Sequence, residues 1–215
     1  MSNSHTDAET MASQILDQIR SIFIPSSSSS SSSSFQPPID VLLSEISLTA
    51  SSSSSSSARI FVHGVGREGL MLRALCMRLY HLGLSAHPIG DVTTPPASPG
   101  DLLIASAGPG GFSTVDAICH VARSAGARVV LITARPESES EARRCADAIA
   151  YLPARTMADD EEKEGGSGAP LAVRLPMGSL YEGALFVLFE MLVLRLAEVL
   201  GQSPAQLRSR HTNLE

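Results

Sequence analysis

From residue 58 onward the chain alternates between short apolar runs and longer stretches with apolar residues every third or fourth position. Ala58 to His63 is a β-rich run that stops at Gly64. A helical pattern follows from Arg67 to His81 and ends at Gly83. Leu84 to Ile89 predicts a second strand, and Asp101 to Ser106 a third. The next helix carries Val115, Ile118, Ala122 and Ala125 on one face and stops at Gly126. Val129 to Thr133 and Ala148 to Leu152 predict two more strands, with a short helix from Glu139 to Cys145 between them. A long helix is expected from Ser179 to Leu200, and a short one from Ala205 to Arg210. Strands separated by helices specify a parallel sheet covered on both faces. The expected fold is therefore α/β, a three-layer αβα sandwich around a five-stranded parallel sheet. The strands read as continuous apolar runs, as burial on both faces requires. Ligands of such sheets sit beyond the carboxyl ends of the strands. The candidate site is therefore the loops 64–69, 90–99, 107–113 and 133–138.

The first 57 residues differ. Residues 9–23 have helical spacing through Met11, Ile15, Ile19 and Ile22, and residues 39–49 resume it with Val41, Leu42 and Ile46. Two unbroken serine runs, 26–34 and 51–57, follow these helices. Serine has no apolar surface to bury, so the first run reads as a solvated linker. The second either continues its helix by a turn or two or leads directly into the first strand. The organisation expected is N-terminal helices with poly-Ser linkers over 1–57 and one α/β domain over 58–215.

Composition narrows the function. The net charge of −6 argues against a nucleic-acid partner or a polybasic membrane surface. Only 4% of residues are aromatic and there is no Trp, so the core is expected to be Leu, Val, Ile and Ala. Cys76, Cys119 and Cys145 are odd in number and far apart, which argues against a disulfide framework or zinc site; each reads as a small buried residue in a helix. The most apolar stretch, Leu180 to Leu200, carries Glu182, Glu190, Arg195 and Glu198, too many charges for a membrane span. The N-terminus has acids and no long apolar core, unlike a signal or transit peptide. The chain reads as soluble and cytoplasmic.

Gly64-Val65-Gly66-Arg67-Glu68-Gly69 matches G-x-G-x-x-G between a strand and a helix, and Asp91 stands about where a ribose-binding acid would in a dinucleotide-binding unit. Glu68 puts a carboxylate inside that anion site, so nicotinamide binding is one reading and a plain turn another. Ser106-Ala107-Gly108-Pro109-Gly110-Gly111-Phe112-Ser113-Thr114 is a second glycine-rich strand-to-helix turn. Ser113 or Thr114 can act there as a helix N-cap, or the turn can bind a phosphate or sugar hydroxyls. Glu182 falls in the first turn of an apolar helix, where the dipole favours an acid and where a general base could face the pocket. His211 lies near the end of the chain, between Arg208 and Arg210 on one side and four further residues on the other. His63, His81, His87 and His120 show no metal-ligand spacing, and Asp159 to Glu162 reads as a solvated loop.

Several of these segments resemble the 3-hexulose-6-phosphate isomerases of the sugar-isomerase (SIS) domain superfamily. His63 to Gly69 followed by Met77-Arg78-Leu79-Tyr80-His81-Leu82-Gly83 resembles that family's "GxGRSG…AMRLMHLG". Gly90 to Pro95 is similar to "GExxTP", Pro176 to Glu182 to "PLGTLFE", and Arg210 to Glu215 to "RHANLE". The resemblance runs in order through residues 58–215 and implies the flavodoxin-like SIS topology.

It also implies interconversion of a 3-keto and a 2-keto hexose 6-phosphate through a cis-enediolate, with no metal or organic cofactor. Glu182 matches the position expected to be the base, and His211 the His expected to reach a neighbouring subunit's site in a homo-oligomer, dimer or tetramer. Arg67 is a candidate to stabilise the enediolate charge. Gly64, Gly66, Asp91, Gly108, Gly110, Ser113 and Thr114 would form the phosphosugar-binding surface. Two departures stand out. Glu68 replaces a family Ser, and Ala107 to Phe112 replaces a hydroxyl-bearing "SGSGET" turn. Pro109 also removes an N–H donor. These changes weaken the phosphate site while the catalytic pair stays, which leaves a non-catalytic carbohydrate-derivative-binding or regulatory SIS protein as the alternative.

Overall fold

A computed structural model describes residues 7–24, 35–51, 58–159 and 175–214. Five strands, β1 (Arg59–His63), β2 (Ser85–Pro88), β3 (Leu102–Ser106), β4 (Arg128–Thr133) and β5 (Ala148–Tyr151), form one sheet in the order β2-β1-β3-β4-β5. Every pairing is parallel; Val62 stands opposite Pro88 on one side and Ile104 on the other. The strands lie within a residue or two of the apolar runs that predicted them. The order is that of the flavodoxin-like arrangement, whereas the doubly wound dinucleotide fold runs 3-2-1-4-5-6. The chain changes direction across the sheet between β1 and β3, so a crevice opens beyond their carboxyl ends.

Alternate residues of each strand serve opposite faces. Ile60, Val62, Leu102, Ile104, Val130 and Ile132 pack under α2 (Pro38–Ser51), α3 (Gly66–His81) and α6 (Ser179–Val199). Phe61, Leu103, Ala105, Val129 and Leu131 pack under α4 (Ser113–Ser124) and α5 (Glu141–Cys145). Leu42 and Ile46 of α2 are fully buried in the first of these cores, and the paired hydrogen bonds from Arg128 to Glu45, at 2.7 and 2.8 Å, tie α2 to β4. The first helix, α1 (Ala8–Ser21), lies on α6, and α7 (Pro204–Ser209) lies on α3. All three cysteines are buried free thiols, one each in α3, α4 and α5, and burial pushes Cys76 to about 11 and Cys119 to about 12.

The serine run 26–34, residues 52–57 of the second run and the acidic segment beyond Asp159 lie outside the described residues. Among the described residues no helix is long and apolar enough to cross a membrane. The expectation that Ser113 or Thr114 caps α4 is corrected. The N-cap position is Phe112, which gives no side-chain cap, and both hydroxyl residues sit exposed inside the first turn.

Candidate functional site

The two glycine-rich turns meet at the switch point of the sheet. In the first, the end of β1 and the first turn of α3 touch backbone to backbone. A Cβ on Gly69 would lie 2.4 Å from the Gly64 carbonyl oxygen, and one on Gly64 would lie 3.1 Å from the Gly69 nitrogen. These two glycines therefore serve close strand–helix packing. Gly66 takes φ +56°, a left-handed conformation that glycine adopts without strain. The tight entry sends Glu68 inward and leaves Arg67 half-exposed on the rim.

In the second turn the Gly108 N–H reaches both Glu68 oxygens, at 3.1 and 3.2 Å, and the Ser106 hydroxyl donates to Oε2 at 2.6 Å. The fully buried Tyr181 ring backs this group, its Oη 3.3 Å from Ser106 Oγ. A Cβ on Gly108 would lie 2.9 Å from the Tyr181 ring, so only glycine fits between ring and carboxylate. Burial pushes the Glu68 carboxyl above its ordinary value, Ser106 and Gly108 pull it back, and the Glu182 charge raises it again. Gly110, at φ +105°, closes the turn, and its carbonyl accepts from the Ser138 and Ser140 hydroxyls at 2.8 and 2.7 Å.

The residue after Tyr181 faces the rim. Glu182 Oε2 lies 2.9 Å from Arg67 Nη2, with the carboxylate side chain 16% exposed. The contact is an ion pair without a directed hydrogen bond to Oε2, because Arg67 aims its N–H groups at Ser179 Oγ (2.9 Å) and the Met177 carbonyl. Met177 and Gly178 take φ +53° and +80°, and this left-handed pair turns the chain into α6. Burial raises the Glu182 carboxyl and Arg67 lowers it. A desolvated carboxylate beside a fixed guanidinium, at the carboxyl edge of a parallel sheet, can take a proton from carbon while the cation stabilises a nearby oxyanion.

The structure does not bring all the expected residues here. Asp91 pairs with Arg73 of α3 at 3.3 Å, both half-exposed. Ser113 and Thr114 are exposed at the start of α4, which covers the opposite face of the sheet from α3 and α6. His211 stacks on His81 at 5.3 Å, at the far end of α3. At about 1.5 Å rise per residue, that end lies roughly 20 Å along the helix from Arg67.

Comparison with known proteins decides the family. No family model matches the chain. A 3-hexulose-6-phosphate isomerase of Mycobacterium gastri is 40% identical over 157 residues, 73% of this chain and 74% of the relative. The chain belongs to the 3-hexulose-6-phosphate isomerase family. A second such relative, from Bacillus subtilis (strain 168), is 34% identical over 74% of this chain and 81% of its own length. A Methanococcus jannaschii protein, whose crystal structure inferred a molecular function of 3-hexulose-6-phosphate isomerase, shares the fold. Its TM-score is 0.68 at 22% identity, over 96% of this chain and 98% of that one.

Seen as a family member, the chain hides part of its site from sequence reading. Tyr181 reads as one more apolar residue of α6, Ser106 as the last residue of a buried strand, and Ser179 as a helix start. Only contacts across more than 35 residues of sequence reveal their roles. His63, at the end of β1, is held toward neutrality by burial, and its Nε2 has no hydrogen-bond partner among the described residues. Among the described residues one group could hold a cation by spacing. His120 of α4 and Glu141 and Cys145 of α5 place their ligand atoms within 4.8 Å of one another. It lies on the α4–α5 face, and burial raises the Cys145 thiol, which disfavours the thiolate a metal needs.

Proposed function

We propose that the chain is a sugar isomerase that moves a carbonyl between C2 and C3 of a hexulose 6-phosphate. The supporting observation is the Glu182–Arg67 pair at the switch point of the sheet. Glu182 takes the proton from C3 of the 2-ketose, and the C–H electron pair flows toward O2 to give a 2,3-enediolate. Arg67 stabilises the oxyanion. A proton passes from O3 to O2, and return of the abstracted proton to C2 leaves the carbonyl at C3. A carboxylate raised by burial is a stronger base for this step than a solvated one.

We assign His211 to the site of a neighbouring copy, since within one chain it stands at the wrong end of α3. Exposed Leu70, Met77 and Tyr80 on α3 and Phe186 and Leu194 on α6 supply apolar surface for a homo-oligomer, a dimer or tetramer. The three free thiols suit the reducing cytoplasm. Asp91, Ser113 and Thr114, which the structure places away from the Glu182–Arg67 pair, have no role in the proposal.

The test is incubation of the purified chain with fructose 6-phosphate, following interconversion and solvent deuterium exchange at C3. Glu182→Gln should lower kcat by about 10²–10⁴-fold with the fold intact. The engagement of Glu68 by the second turn favours the other reading, a non-catalytic carbohydrate-derivative-binding protein. Binding of a sugar phosphate without exchange would select that reading.

A further inference from the structure

A glycine-rich turn from a strand into a helix offers its N–H groups and hydroxyls to an anion. In the β3–α4 turn the donors from residue 106 to residue 110 are already committed. The Ser106 hydroxyl and the Gly108 N–H go to Glu68, the Ala107 N–H to the Ile132 carbonyl at 3.0 Å, and the Gly110 N–H to the Ala107 carbonyl at 2.9 Å. Pro109 has no N–H. The turn from 106 to 110 therefore holds one anion, and that anion is a side chain of the chain itself. It cannot swing away easily. Glu68 is only 7% exposed, with Gly108 against one carboxylate oxygen and Tyr181 behind the turn.

We infer that Glu68 is the specificity-determining residue of this site: its carboxylate takes the anion position of the β3–α4 turn, so the sugar presents an uncharged hydroxyl there and a phosphate group adds little to binding. The inference rests on the isomerase reading and refines its substrate class to hexuloses, phosphorylated or not. A phosphate dianion at this turn would face a buried carboxylate and find no donor free between residues 106 and 110. A neutral hydroxyl can donate to the carboxylate.

The experiment uses the full chain as wild type, Glu68→Ser and Glu68→Gln. Calorimetric titration with inorganic phosphate reads the turn directly, and kcat/KM for fructose 6-phosphate over fructose reads selectivity. In wild type the phosphate titration should be flat into the millimolar range and the two sugars should be used with similar kcat/KM. Removing the carboxylate in Glu68→Ser should tighten phosphate binding about 100-fold and raise the selectivity ratio by a similar factor through KM. Glu68→Gln, nearly isosteric and uncharged, should gain roughly 10-fold and carries the test if the Ser variant does not fold. A purely structural Glu68 would change the melting temperature and leave phosphate affinity where it was. Folded variants that bind phosphate no better than wild type, or tight phosphate binding by wild type, overturn the inference. Absence of turnover on both sugars in every variant would sink the isomerase reading alone, with the calorimetry still deciding the role of Glu68.

Discussion

Arg67 and Glu182 meet 2.9 Å apart across the gap between the first turns of α3 and α6, yet the guanidinium spends its hydrogen bonds on Ser179 and the Met177 carbonyl. The cation is thus clamped to the α6 entry, and the carboxylate is steadied by charge rather than by a directed N–H. This leaves Glu182 Oε2 without a hydrogen bond among the described residues, as a base awaiting a carbon-bound proton would be.

The arrangement predicts the acid side of the pH–rate profile. Burial lifts the Glu182 carboxyl above its ordinary 4.5 and Arg67 opposes the lift. Activity that needs the ionised form should therefore fail, as pH falls, at a pH above the usual carboxylate value. Arg67→Ala removes the opposing charge, so its acid limb should move to higher pH while kcat also drops. A limb that stays in place or moves down in Arg67→Ala would show that Glu182 is not the titrating base.

Glu68 should leave a second pH signature, in stability. Its folded-state carboxyl is raised, chiefly by burial, above the ordinary 4.5. Between those two values the folded chain binds more protons than the unfolded one, so its stability falls as pH rises through that window. Glu68→Gln cannot ionise and lacks this penalty. The stability of Glu68→Gln minus that of wild type should climb as pH rises from about 4, then level off once Glu68 is ionised in both states. Urea midpoints at several pH values measure it, and a flat difference would contradict the raised carboxyl.

The layers of this fold were legible because their physics is local. β3 and β4 are uninterrupted apolar runs, and their residues from Leu102 to Ser106 and Val129 to Thr133 are buried on both faces. The partners that fix the site are not local. Glu68 looked like an intruder in the first glycine turn, and the second turn proves to be built around it through Ser106. Asp91 had the spacing of a ribose ligand, but Arg73 sits one helix away and claims it. Ser113 had the chemistry of an N-cap, but the helix begins one residue early for that role. Periodicity marked α2 as a helix without showing that Leu42 and Ile46 would be fully buried in the central core.

The strand–helix contact at Gly69 allows a sharp stability test. A Cβ there would stand 2.4 Å from the Gly64 carbonyl oxygen, backbone against backbone, with β1 and α3 both fixed by the core. Gly69→Ala should cost roughly 1–3 kcal/mol through overpacking. Gly183→Ala in α6 is the control: its Cβ would meet only the tip of Ile19, at 2.8 Å, and a side-chain end can turn aside. A mid-helix Ala gains up to about 1 kcal/mol over Gly, so Gly183→Ala should be neutral or stabilising. Urea unfolding of the two variants should separate them clearly, and equal effects would contradict the tight contact.

His211 stacks on His81 at the far end of α3 from Arg67. If a neighbouring copy's His211 completes each site, Glu182→Gln and His211→Ala break different chains of the same site. Each variant alone should be inactive or nearly so. Mixed oligomers, made by refolding the two together, contain some sites with an intact Glu182 from one chain and an intact His211 from the other. In a random dimer half the molecules are mixed, and each mixed dimer has one complete site, so about a quarter of wild-type activity should return. Recovery requires exchange of subunits, so simple mixing without refolding is the control. If both residues worked within one chain, no mixture of these variants could regain activity, and His211 would have to be withdrawn from the site.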